Sequence, residues 1–199
     1  MYAGRKDQGK GVDELIEDFG RFIDRHGHNM KLVLIGGGSI DIPAKYRDSV
    51  IDLGFIDMQD KYDACGAALC LCQLSRNESF SLVIMESWLC HRPVMVHSAC
   101  AVTKDFAERF GGGRAIGSYE EFENTVRFYL DHPEEAAKMG ESGRKHVIEN
   151  FSWDKIVANY KRFFNEVISV RKEREESEHI NIENTVQLIR WGRKDGESY

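Results

Sequence analysis

The amino-acid sequence predicts an α/β fold, a Rossmann-like doubly wound parallel sheet of about six strands with helices on both faces. Three observations lead there. The apolar runs Lys31-Leu32-Val33-Leu34-Ile35 and Ala67-Ala68-Leu69-Cys70-Leu71-Cys72-Gln73-Leu74 are continuous rather than alternating, the habit of strands buried on both faces. Segments with helical spacing of apolar residues separate such runs, and strand alternating with helix gives a parallel sheet. The 199 residues, 42% hydrophobic and 30% charged, have the length and balance of one globular domain with an appended tail.

In chain order, Tyr2-Ala3-Gly4-Arg5 reads as the end of a first strand whose first half is missing. Residues 10–25 carry Val12, Leu15, Ile16, Phe19, Phe22 and Ile23 at helical spacing, with Gly27 as the stop. The strand at 31–35 ends in Gly36-Gly37-Gly38, and Pro43 fits the first turn of a short helix. Residues 50–56 read as a third strand broken by Gly54, and 57–65 as a short helix. The fourth strand spans 67–74, the next helix 81–90 and the fifth strand 93–97. Phe106 sits on a short helix before Gly111-Gly112-Gly113, and 114–116 form a sixth strand. Helices follow at 119–131, from Pro133 to 150, and at 153–174, the last capped by Ser152. Residues 171–178 are a charge run, read as a solvated face. Residues 180–190 fit a small amphipathic helix, and 192–199 a frayed end.

Composition narrows the function. A net charge of -6 speaks against a dedicated nucleic-acid binder, which is usually basic. No apolar run approaches the roughly 18 residues that span a bilayer, and no secretory signal is visible. Cys65, Cys70, Cys72, Cys90 and Cys100 lack zinc-ligand spacing and read as buried thiols of a cytoplasmic protein. No D-x-D element is present, and His26, His28, His91 and His97 read as structural or solvated rather than catalytic.

Ligands of doubly wound sheets sit at the carboxyl ends of strands, near helix N-termini. Arg5 and Lys10 bracket the first such end, and two cations beside a helix start suit a pyrophosphate. Gly36 and Gly38 allow backbone to approach a ligand. Asp41 stands where a dinucleotide loop needs its third glycine, so that fingerprint fails. In the stretch from Ser75 onward, Glu78 precedes an apolar helix and Glu86 lies inside it, eight positions on. A carboxylate among apolar residues is costly unless it is paired or hydrogen-bonded. The helix start offers the amides of Phe80, Ser81 and Leu82 to phosphate oxygens. An extended ligand reaches both carboxylates across about 12 Å of helical rise.

These residues resemble the C-terminal domain of family 4 (group 1) retaining GT-B glycosyltransferases. Glu78 and Glu86 match its E-x7-E motif. Gly4-Arg5 and Lys10-Gly11, followed by Val12-Asp13-Glu14-Leu15-Ile16, match its opening. Gly111-Gly112-Gly113, Tyr119-Glu120-Glu121-Phe122, Met139-Gly140, Gly143-Arg144 and Phe151-Ser152-Trp153 keep its usual order, so the resemblance covers about residues 2–165. Leu74 departs from a common proline, and Ser87 from a common alanine.

The resemblance implies a nucleotide diphosphate sugar as substrate, with no cofactor or metal. It implies Arg5 and Lys10 on the diphosphate, Glu78 on the sugar, Glu86 on the ribose, and the backbone at Gly54-Phe55-Ile56 against the base. The Phe55 side chain itself reads as buried. Residues 1–168 are then the donor-binding domain and 169–199 a charged helical extension. An N-terminal acceptor domain is expected beyond this chain, with any membrane contact lying there. The 199 residues are accordingly expected to bind a UDP- or GDP-sugar and to transfer little of it. Two other classes stay open: a flavin or nicotinamide module, prompted by Gly36-Gly37-Gly38, and a non-catalytic interaction domain.

Overall fold

The computed structural model describes residues 1–7, 9–27 and 29–194, with side chains for all of these except 179, 180 and 185–194. Six short strands are present: β1 (Tyr2–Ala3), β2 (Leu32–Ile35), β3 (Val50–Gly54), β4 (Leu71–Gln73), β5 (Val94–His97) and β6 (Gly113–Ile116). The helices are α1 (Val12–His26), α2 (Met58–Ala67), α3 (Leu82–Leu89), α4 (Ala101–Arg109), α5 (Tyr119–Asp131), α6 (Pro133–Asn150) and α7 (Trp153–Lys194). Residues Ala44–Tyr46 add one 3-10 turn.

The strands form two parallel three-stranded ladders, β1-β2-β3 and β4-β5-β6. They meet edge to edge, where Cys72 N donates to Met1 O at 2.8 Å and the Met1 amino group donates to Cys70 O at 2.9 Å. Across the whole, the order is β3-β2-β1-β4-β5-β6. Parallel crossovers are right-handed, and the chain winds one way from β1 to β2 but the other way from β4 to β5. The crossover helices therefore fall on opposite faces. One layer pairs α1 with α5, and the other pairs α2 with α3.

The core follows from the apolar spacing read in the sequence. Val12, Leu15, Ile16, Phe19 and Phe22 of α1 are buried against Leu32 and Leu34 of β2 and Phe122, Val126 and Tyr129 of α5. Glu123 of α5 fastens the two helices, accepting from Arg25 Nη1 at 2.8 Å and pairing with His26 Nε2 at 2.8 Å. On the other side, Trp88 is fully buried and gives its indole N–H to Gly112 O at 2.8 Å. Cβ atoms built on Gly112 and Gly143 would fall 2.4 and 2.3 Å from that ring, so both positions are flat seats for the indole.

Several boundaries differ from those expected. α2 runs two residues past the expected end at 65 and takes Ala67 from the expected fourth strand, because Asp57 caps the helix start (Gln59 N to Oδ1, 3.1 Å) and the turn closes only at Ala68; β4 itself is Leu71–Gln73. The short helix expected around Phe106 is α4. Pro43 precedes only the 3-10 turn. The C-terminal helices expected at 153–174 and 180–190 are one continuous α7. The charge run between them is made of good helix formers, and Arg171 Nε pairs with Glu175 one turn on at 2.8 Å. Of the expected frayed end, 195–199 lie outside the described residues, as does His28. By compactness the chain divides into two units, Met1–Glu149 and Asn150–Tyr199; the resemblance implied a division after residue 168. Within the second unit, Trp153, Val157, Tyr160, Phe164 and Val167 recur every three or four residues and are exposed.

The phenylalanine after β3 is a correction. Phe55 is 86% exposed, not buried. Pairing between β2 and β3 runs Leu34 to Asp52 and then Ile35 to Gly54, so Leu53 is an extra, bulged residue. A one-residue slip reverses the inward–outward alternation, and Gly54, at φ 62, then turns the chain out of the sheet. Sequence alternation alone does not reveal a bulge.

A close backbone contact lies between the exits of β1 and β2. A Cβ on Gly36, whose φ is 122, would lie 2.1 Å from Gly4 O. Gly36→Ala is expected to cost at least about 2 kcal/mol in urea unfolding, from backbone strain and backbone overlap together. A loss below 0.5 kcal/mol would show that the two segments move apart at no cost.

Candidate functional site

At the carboxyl ends of the strands, α1 leaves β1 toward one edge while α3 leaves β4 toward the other. That divergence opens a crevice, the usual ligand position in such sheets. Two hollows occupy it. One, of about 460 Å³, is lined by Arg5, Gly36, Gly37, Phe55, Lys61 and Val83 among others. The second, of about 500 Å³, is lined by residues 76–79 and by 99–102 at the start of α4. A third cavity, of about 310 Å³, opens at the opposite ends of β2 and β4; it is apolar and holds none of the expected site residues.

Each carboxylate singled out by the sequence has a lysine partner. Lys10 Nζ donates to Glu78 Oε1 at 2.7 Å, with both side chains mostly buried. Gly11 makes that meeting possible: it caps α1 with φ 70, and a Cβ there would lie 2.3 Å from Leu74 O. Lys61 Nζ of α2 donates to Glu86 Oε1 of α3 at 2.8 Å. Arg5 is open to the first hollow, and its Nε lies 3.5 Å from Asp7 Oδ2.

The remaining expected residues divide by role. Gly36 lines the first hollow, but Gly38 does not. The space a Cβ would take at Gly38 is filled by Lys6 O, 2.8 Å away, so that glycine serves close packing of the chain on itself. Ser75 is buried and its hydroxyl donates to Asn77 O at 3.1 Å and Gly9 O at 3.3 Å. It therefore fastens the loop of Glu78 to the loop of Lys10. The Phe80 ring stands edge-on to Phe106 at 5.5 Å. Ser81 precedes α3 in the left-handed region, φ 67 and ψ 80, a conformation that costs a non-glycine residue about 1–3 kcal/mol. Ile84 N makes the first turn's bond, to Ser81 O at 3.2 Å, so the amides of Leu82 and Val83 precede it at the crevice. Leu82 itself is exposed. Of the three amides expected at Phe80, Ser81 and Leu82, that of Leu82 lies in this first turn and that of Val83 joins it, because Ser81 in its left-handed conformation precedes the helix.

Three groups carry no sequence signal. Lys61 lies on a polar helix with no motif. Lys6 is buried, its side chain 1% exposed, and donates to Gly36 O at 2.5 Å and Asp52 Oδ1 at 2.7 Å. His97, at the end of β5, accepts from Ala99 N through Nδ1 at 3.0 Å, so neutral His97 carries its proton on Nε2. Burial, then Arg76, push its pKa down against the pull of Glu14, which keeps the ring neutral at pH 7. No group of three or more His, Cys, Asp or Glu placed to share a metal ion lies among the described residues.

Burial pushes the Asp52 carboxyl up, but the Lys6 ammonium and Gly54 N–H outweigh it and hold the pKa below the usual carboxylate range. The stabilisation is thus present above about pH 3.9 and is lost as pH falls through the native value. Asp52→Asn is expected to cost about 1–3 kcal/mol at pH 7, since it strands a buried ammonium. The gap between wild type and variant should close as pH falls below about 4 in urea titrations. A gap independent of pH would disprove the ion pair.

The pattern of the family described as glycosyl transferases group 1 matches residues 1–146. The D-inositol 3-phosphate glycosyltransferase of Gordonia bronchialis is 29% identical over 179 residues, 78% of this chain and 37% of that protein. The chain thus spans little more than a third of that relative. Among solved structures, a point mutant of S. aureus TarM, in complex with fondaparinux, α-GlcNAc-glycerol and UDP, superposes with a TM-score of 0.71 at 21% identity. The match covers 82% of this chain and 34% of TarM. Sucrose-phosphate synthase of Thermosynechococcus elongatus gives 0.70 at 22% identity, over 85% of this chain and 45% of the synthase. These likenesses show the Rossmann-like fold of a GT-B half. With the family pattern spanning residues 1–146 of 199, the chain belongs to the glycosyl transferases group 1.

Proposed function

We propose that this chain is the donor-binding half of a retaining glycosyltransferase, which moves a sugar from a nucleotide diphosphate sugar to a hydroxyl acceptor. One observation carries the reading: Arg5 and Glu78 line the two hollows of the crevice, and Lys10 and Glu86 are tied to it through their partners Glu78 and Lys61. UDP in the TarM complex favours a uridine nucleotide over GDP.

In this reading the base lies in the hollow of about 460 Å³ against Phe55, an exposed ring free to stack. Glu86 accepts from the ribose hydroxyls. The diphosphate meets Arg5, Lys10 and the first amides of α3. As the glycosidic bond breaks, negative charge grows on the leaving diphosphate, and fixed cations that meet it there lower the barrier. Those cations supply the charge that a metal ion supplies elsewhere. Glu78, held by Lys10, orients the sugar beside the second hollow. The acceptor is bound by a further domain, as the relative's greater length allows, so these 199 residues bind nucleotide and transfer little sugar. The setting is polysaccharide or glycolipid assembly on the cytoplasmic side, and any membrane contact lies in that further domain. No helix among the described residues is long and apolar enough to cross a membrane.

Calorimetric titration with UDP and GDP tests the reading. One nucleotide is expected to bind saturably, and Arg5→Ala and Glu86→Ala each to weaken it roughly ten- to hundredfold, the worth of a hydrogen bond to a charged group. Binding of neither nucleotide would overturn the donor site. Sustained sugar transfer by the 199 residues alone would overturn the need for a second domain.

A further inference from the structure

Lys61 is the one cation lining the first hollow that belongs to neither motif, and it touches a motif carboxylate. It lies on α2, one turn after Met58, and reaches across to α3, where its Nζ is 2.8 Å from Glu86 Oε1. Both side chains are about a quarter exposed, 23% and 27%, and Lys61 is the member of the pair that lines the hollow. The Tyr62 ring lies 4.9 Å from the same ammonium. Val83, which lines the hollow, precedes Glu86 by three positions on α3 and so shares its face. Among the described residues Glu86 Oε2 has no hydrogen-bond partner. An ammonium carries three donors, and the bond to Glu86 takes one.

The geometry points to Lys61 as the positioning residue of the ribose site, an inference that rests on the donor-site reading above. Lys61 fixes Glu86 in one rotamer, with Oε2 presented as an acceptor and its own spare N–H groups presented as donors beside it. A hydroxyl both donates and accepts, so a vicinal diol meets this couple with both capacities satisfied. A sugar lacking one hydroxyl leaves part of it unpaired in a half-buried place, which is where selectivity against such analogues arises. The couple therefore selects ribonucleotides over 2′-deoxyribonucleotides. As an isolated pair, Lys61 and Glu86 contribute little to stability at this exposure.

The test is titration of the 199-residue protein with whichever of UDP or GDP binds, and with its 2′-deoxy form. Wild type, Lys61→Met and Lys61→Arg are compared, with thermal unfolding to confirm that each is folded. Wild type is expected to prefer the ribonucleotide about tenfold. Lys61→Met is expected to lose most of that preference, chiefly through weaker ribonucleotide binding, and Lys61→Arg to recover much of it. If Lys61→Met weakens both nucleotides equally, the lysine acts as a general cation and the inference fails while the donor site stands. An unchanged preference also overturns it. If wild type binds no nucleotide, the donor-site reading and this inference fall together.

Discussion

The close passage of the β1 exit over the end of β2 is the constraint from which the crevice follows. Gly4 N donates to Ile35 O at 2.9 Å, Lys6 N to Gly37 O at 2.7 Å and Gly36 N to Gly54 O at 2.7 Å. This backbone weave leaves no room for a Cβ at Gly36. It fixes Arg5 on one side of the hollow and, through Gly54, sends Phe55 out on the other. Lys6 reinforces the weave from beneath with its bonds to Gly36 O and Asp52. A buried lysine next to a site open to solvent is costly unless it is paired, and the pairing is what makes the floor rigid.

The crevice itself is organised by charge pairs between neighbouring elements. Lys10 with Glu78 joins the β1 and β4 loops, Lys61 with Glu86 joins α2 and α3, and Arg76 reaches Glu14 of α1 at 3.0 Å. Each acidic group therefore has a cation beside it without a ligand, so none stands as a bare charge in a half-buried place. In the proposed complex, ligand hydroxyls and phosphate oxygens join pairs that already exist. The oriented dipoles then need little rearrangement, the condition under which electrostatic contacts are worth most.

Much of this was legible in the sequence, and the misses share a cause. Continuous apolar runs found β2 and β4, the strand–helix alternation found the other four strands, helical spacing found α1 and α5 within a residue or two, and Pro133 marked the start of α6. Period is a local property, fixed by which side chains must face the core. The overlong fourth strand and the bulge at Leu53 depend on pairing between distant segments, which leaves no local period. The continuous α7 was missed for another reason. A charge run reads as solvated whether it is helical or not, and good helix formers decide the matter.

For the candidate site, the sequence by itself determined the motif residues and their order: Arg5, Lys10, Glu78 and Glu86 around glycine-rich strand ends. It also determined the family, because these groups recur at fixed spacing along one chain. Only the tertiary structure decided which partners they take. Lys61 and Lys6 are unremarkable lysines until folding sets one at 2.8 Å from Glu86 and buries the other against Asp52. The fold gives Gly38 a close approach to Lys6 O and gives the Ser75 hydroxyl its partners at Asn77 O and Gly9 O, and Phe55 reads as core until a single bulge turns it outward. The physical reason is that a charge or hydroxyl takes its role from what lies within about 3 Å of it. Sequence spacing fixes that neighbourhood within one element, while packing fixes it between elements.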